Sequence, residues 1–241
     1  METTKNFPTE VIELPSKGLV YPESNPLSSG QVEMKYMTAK EEDILTNQSY
    51  IQKGIVLDKL LQALIVSKID YNDLITGDKN AIMVAARVLG YGKDYTFTYN
   101  GSEYTVDLSK IDNKPFEIQN KGVNEFIYTL SSTNTNITYK LLTHSDEQKI
   151  QAEIEGLKKV NKNSSAELST RLKYIITSVE GDREPKTIRE FVDNYLLARD
   201  SRELRTHIRN TQPDVDLTFF PDGSAERVDI PIGVKFFWPD F

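Results

Sequence analysis

Tyr95 to Leu108 reads YTFTYNGSEYTVDL, and this stretch decides the fold class. Asn100-Gly101 sits between two runs rich in aromatic and β-branched residues. That dipeptide favours the type I′ turn, whose central residues both need positive φ and whose twist matches a two-stranded hairpin. A two-residue loop pairs Phe97 with Tyr104 and Tyr95 with Val106, so these four share one face. Thr96, Thr98 and Thr105 then share the other. An apolar face opposite a threonine face is what a half-buried hairpin requires.

Upstream, the pattern is helical. KNAIMVAARVLG (79–90) carries alanines that permit close packing, and Gly90 and Gly92 suit its C-terminal stop. Leu57, Leu60, Leu61, Leu64 and Ile65 recur at helical spacing. Thr38 and Glu41 form a capping box, which predicts one helix running from there through the leucine face. QVEMKYM (31–37) alternates as a short strand. Residues 1–30 hold Pro8, Pro15, Pro22 and Pro26, which exclude a helix, yet also Val11, Ile12, Leu14, Leu19, Val20 and Tyr21. That mixture predicts an extended arm lying on a surface, its own or a partner's.

Downstream, NEFIYTL (124–130) and NITYKLLT (136–143) are strand candidates. From Ser145 the chain turns helical. Ser145 with Gln148, Ser164 with Glu167 and Thr187 with Glu190 match capping boxes. Leu168, Leu172, Ile175, Ile176 and Val179 form one apolar stripe; Ile188, Phe191, Val192, Tyr195 and Leu196 form another. A third short helix spans about 200–210. TFFPDGSAERVDIPI reads as a small hairpin around Pro221-Asp222-Gly223-Ser224. The expectation is therefore α+β: an arm over 1–30, a mixed domain over 31–144 containing the 95–108 hairpin, and a small helical bundle over 145–241 closed by a hairpin and an aromatic tail.

The totals restrict function. The 241 residues carry 36 acidic and 29 basic side chains, a net charge of −7. Nucleic acid and anionic membrane both demand a positive field, so general affinity for either is not expected. With no cysteine there is no disulfide, thiolate nucleophile or cysteine metal site. No stretch approaches a membrane span, and METTKNFPTEVIELP lacks the charged and apolar regions of a secretory signal. The Gly90-Tyr91-Gly92 pair follows a helix and lacks the Lys-Ser/Thr of a phosphate-binding loop. His144 precedes a capping box and reads as a solvated loop residue; His207 lies among arginines, an unfavourable place for a cation. No metal, cofactor, small-molecule substrate or catalysis is expected.

Two features suggest contacts. Most of Arg199, Arg202, Arg205 and Arg209 fall along one helical face, suited to a phosphate or an acidic partner, or to a solvated face paired with Asp200 and Glu203. Nucleic-acid binding through this patch is the alternative reading. PIGVKFFWPDF (231–241) holds the single tryptophan, Trp238, beside Phe236, Phe237 and Phe241. Such aromatics either pack on the chain's own helices or anchor a partner.

LPSKGLVYPESNPLSSGQVEMKYMTAKEEDILTNQ, then VLDKLLQALIV, LITGDKNAIMVAARVLGYG, SAELSTRLKYIITSVEGDREPKTIREFVDNYLLARDSRELR and the closing FFWPD resemble the baseplate hub assembly proteins of T4-like tailed bacteriophages. The resemblance runs from about Leu14 to the last residues. It implies a late protein of virion and tail assembly in the host cytoplasm, acting as a structural subunit or chaperone on other hub proteins, with no catalysis. Members of that family can carry a Cys-x-x-Cys-Gly knuckle before the closing aromatics. Here that place reads Phe220-Pro221-Asp222-Gly223, so no zinc is implied for this chain. With the resemblance, Leu14, Pro15, Lys17 and Tyr21 at one end and Phe236, Phe237, Trp238 and Phe241 at the other are the expected partner contacts.

Overall fold

The computed structural model describes residues 8–118, 120–160, 166–221, 224–232 and 234–237. It is an α+β protein built from four small antiparallel sheets and, among the described residues, eight α-helices. Strands β1 (Thr9–Glu13) and β2 (Gln31–Lys35) pair from Thr9 opposite Lys35 to Glu13 opposite Gln31. Three short helices follow: α1 (Ala39–Leu45), α2 (Gln48–Gln52) and α3 (Val56–Leu64). Helix α4 (Thr76–Tyr91) leads into the hairpin of β3 (Asp94–Tyr99) and β4 (Ser102–Asp107).

The hairpin has the register its sequence demands, with Phe97 opposite Tyr104 and Tyr95 opposite Val106. Asn100 and Gly101 have φ of 49° and 82°. Tyr95 and Phe97 are buried, while Thr96 and Thr105 share a 2.8 Å hydrogen bond on the exposed face.

Strands β5 (Phe126–Thr129) and β6 (Asn136–Tyr139) form the next hairpin. Helices α5 (His144–Val160) and α6 (Glu167–Ile175) then precede strand β7 (Ile176–Val179). Helices α7 (Pro185–Asn194) and α8 (Ala198–Thr211) come next. The two-residue strands β8 (Thr218–Phe219) and β9 (Val228–Asp229) make the expected small hairpin.

Several local expectations change. The helix foreseen from Thr38 through the leucines is three helices, because Asn47 caps a new start and Gly54, at φ 67°, ends α2. The Thr38–Glu41 box does form: the Thr38 N–H and hydroxyl both donate to the Glu41 carboxylate. Burial alone would raise the Glu41 pKa, but hydrogen bonds from Lys35 and Thr38 outweigh it and bring it to about 2. Ile176 and Val179 do not continue the α6 stripe. They belong to β7, which adds to β6, so the C-terminal helices pack around a strand as well as each other. The run Ile-Thr-Ser-Val is rich in β-branched residues, and a free β6 edge was there to receive it. Helix α5 is boxed by Thr143 and Asp146 rather than by Ser145 and Gln148. Thr187 lies inside α7, its hydroxyl donating to Asp182. Ser164 lies outside the described residues.

Two hydrophobic cores result. The larger joins Leu14, Val20, Tyr21 and Leu27 to the helices α3 and α4, the 94–107 hairpin, and Val215, Phe219, Ile230, Phe236 and Phe237. The smaller joins Leu130, Ile137 and Tyr139 to Leu172, Ile176, Ile188, Phe191 and Leu204. The cores therefore do not divide at residue 145, because strands from before it serve the second core and segments from after it return to the first.

Candidate interaction surface

The segment around Leu14–Tyr21 is folded into the body, a correction to the extended arm. Lys17 and Gly18 take φ of 52° and 75°, and Gly30 takes 72°. A Cβ on Gly18 would come within 2.3 Å of the Ser28 carbonyl oxygen, so only glycine lets these two turns touch. Leu14, Pro15 and Tyr21 are buried and Lys17 is exposed.

The anchor is Asp78, in the first turn of α4 and fully buried. Its carboxylate accepts from the Ser16 backbone N–H at 2.9 Å, the Ser16 hydroxyl at 2.7 Å and the Tyr21 hydroxyl at 2.6 Å. The Tyr21 oxygen in turn accepts from the Ile75 N–H at 3.1 Å. Burial raises the pKa of Asp78, and these hydrogen bonds oppose it. Burial beside Asp78 pushes the Tyr21 hydroxyl far above its ordinary range, so it stays a donor.

The aromatic tail is anchored at the other end of the same helix. Phe236 and Phe237 are buried, with the Phe236 ring edge-on to Tyr95 at 4.8 Å. The Arg87 guanidinium donates to the carbonyls of Phe236 at 2.9 Å, Gly92 at 3.0 Å and Asp94 at 3.2 Å. The Tyr95 hydroxyl donates to the Pro231 carbonyl at 3.0 Å. Phe236 and Phe237 are thus core residues of their own chain, while Trp238 and Phe241 lie outside the described residues.

The arginines of α8 are different. Arg199, Arg202, Arg205 and Arg209 are all exposed. Arg199 pairs with Glu203 at 3.1 Å, and Arg205 donates to the Ser201 carbonyl. Among the described residues Arg202, Arg205 and Arg209 have no carboxylate partner. Asp200, expected to pair with them, is buried and accepts instead from the Ser132 N–H at 2.9 Å and the Thr133 hydroxyl at 3.3 Å. At roughly 100° per residue, Arg202, Arg205 and Arg209 fall within an arc of about 60°.

Neither histidine joins this face. His207 turns from the arginines to the tyrosines of the β5–β6 hairpin, 4.6 Å from Tyr128 and 5.9 Å from Tyr139. It lines an open cavity of about 330 Å³ with Phe116, Phe126 and Leu141. His144 is not a solvated loop residue. It is 4 % exposed, in the first turn of α5, edge-on to Tyr71 at 4.7 Å. Burial lowers its pKa. Asp58 lies 3.9 Å from its Nδ1 but is engaged by the Tyr71 hydroxyl at 2.9 Å and by Lys79 at 2.5 Å. Nothing in the sequence spacing signals this cluster, because its members meet only through α3, the short turn Tyr71–Asp73, α4 and α5.

Among the described residues no group of three or more His, Asp or Glu side chains is arranged to hold a metal ion, and no helix is long and apolar enough to cross a membrane. Compared with protein-family models, curated proteins and solved structures, the chain matches none.

Proposed function

We propose that this chain is an assembly or structural subunit of a phage tail baseplate hub, acting through protein–protein contacts and not through catalysis. The observation that carries the contact reading is the α8 stripe of Arg202, Arg205 and Arg209, exposed on an acidic chain with no carboxylate of its own among the described residues. Guanidinium groups left free in this way suit the carboxylates of an acidic partner surface. The phage assignment rests on the sequence resemblance from Leu14 onward.

The test is binding of the purified chain to individual hub proteins of a T4-like phage, followed by calorimetry at two salt concentrations. An Arg202→Glu/Arg209→Glu variant is expected to bind the cognate hub protein at least about tenfold more weakly, mostly at low salt. The second reading, a nucleic-acid module, uses the same stripe. A duplex DNA bound at moderate salt, with a salt slope that becomes shallower in the variant, would replace the hub reading.

A further inference from the structure

Strand β1 has one edge paired to β2 and, among the described residues, one edge free. Tyr36 donates its N–H to the Pro8 carbonyl and Leu14 donates its own to the Gly30 carbonyl. Antiparallel pairs alternate, so Glu10 and Ile12 exchange bonds with β2, and Thr9, Val11 and Glu13 turn their N–H and C=O groups outward. The far side of β2 agrees with this register: the Glu33 carbonyl, opposite Val11, turns away from β1 to accept from Val66. Among the described residues nothing pairs with the outward groups of Thr9, Val11 and Glu13.

That edge borders an apolar groove of about 390 Å³. Glu10, Val11, Ile12 and Glu13 all line it, together with Ala81, Val84, Ala85 and Val88 of α4. Side chains of a strand alternate between faces, so four consecutive residues line one groove only when it runs along the strand's edge. Val11, in the middle, is 59 % exposed. An exposed strand edge is normally blunted by charge, proline or shortness. This one carries Glu10 and Glu13, and no lysine or arginine lines the groove.

We infer that the β1 edge and this groove accept an extended segment of another protein as an added strand. The segment would set apolar side chains against α4 and place lysine or arginine opposite Glu10 and Glu13. Strand addition of this kind takes affinity from main-chain hydrogen bonds and specificity from the pockets for alternate side chains. The charge argues against a second copy of the same edge, because antiparallel self-pairing about Val11 would make the two Glu10 side chains diagonal neighbours, and β1 offers no lysine or arginine to any of the four glutamates. The inference uses no residue of α8 and stands apart from the hub reading.

The probe is a labelled peptide of alternating valine and threonine with paired lysines at both ends, titrated into the full chain by fluorescence anisotropy. Hydrogen exchange follows the complex. The amides of Thr9, Val11 and Glu13 should gain protection, and a glutamate-flanked peptide should bind about tenfold more weakly. Val11→Pro removes an outward N–H without touching a bond to β2, and should abolish binding while Val11→Ala retains it. Unfolding midpoints of both variants show that the fold persists. Glu10→Lys/Glu13→Lys should reverse the charge preference. Equal binding of both peptides, protection elsewhere, or Val11→Pro binding as the parent chain does would overturn the inference. So would a peptide-free dimer that Val11→Pro dissociates, which would make the edge a contact between copies.

Discussion

Asp78 and Arg87 are buried charges on one helix, and they hold opposite parts of the chain. Asp78, in the first turn of α4, collects three donors from Ser16 and Tyr21. Arg87, near the helix's other end, gives three donors to the carbonyls of Gly92, Asp94 and Phe236. Each sign matches the helix dipole at its end. Neither charge has an ion-pair partner among the described residues, so each is solvated by oriented neutral groups instead. Arg202, Arg205 and Arg209 of α8 show the contrast: exposed guanidinium groups that no carboxylate pairs with among the described residues. A buried charge whose hydrogen bonds are filled is structural, while a free charge in solvent is available.

The largest effect should come from Asp78. Asp78→Ala leaves three buried donors without an acceptor and is expected to cost about 3–4 kcal/mol in denaturant unfolding. Asp78→Asn, which keeps an acceptor oxygen, should cost less. A loss below about 1 kcal/mol for Asp78→Ala would break the claim that this end is clamped. Arg87→Ala should cost about 3 kcal/mol and deprotect the backbone amides of Lys235 to Phe237 in hydrogen exchange. Lysine at the same position should rescue only in part, because a single ammonium does not span three carbonyls.

Gly77→Ala sharpens the comparison from the side of packing. Its Cβ would sit 1.8 Å from the Pro213 carbonyl oxygen, which requires backbone movement and should cost about 2 kcal/mol. His144 gives a pH dependence. Burial lowers its folded-state pKa below the ordinary 6.5, so the unfolded chain binds the proton first. Stability present above about pH 6.5 should fall as pH drops below it, and His144→Gln should flatten that slope in thermal unfolding between pH 7.5 and 5.5. The smallest effect belongs to α8: Arg202→Glu should change stability by under about 0.5 kcal/mol while altering partner binding. A large loss there would mean that the stripe is structural after all.

The hairpin of β3 and β4 was legible down to its register, because Asn100-Gly101 fixes the turn and alternation fixes the faces. The start of α1 and the stop of α4 at Gly92 were legible for the same local reasons. The fate of both ends was not. Proline-rich and apolar residues over 8–30 describe a buried clasp as well as an arm, and composition does not distinguish them. Ile176 and Val179, three apart, keep the helical period of α6 rather than the alternation of a strand, and β7 pairs both with β6 only through a register shift between Thr138 and Tyr139. The free edge of β6 decided between them. The β1 edge was missed because exposure of a strand edge depends on which neighbours fail to arrive.

By itself the sequence determined the α+β class, the central hairpin and the start of α1, since turn sterics, side-chain period and capping act over a few residues. It also determined the acidic balance and the arginine spacing of α8. Only the tertiary structure decided that Ser16 meets Asp78, 62 residues away, and that Arg87 meets the Phe236 carbonyl, 149 residues away. A buried charge must find its hydrogen bonds wherever the fold delivers them, and that delivery is a property of packing, which no local pattern encodes.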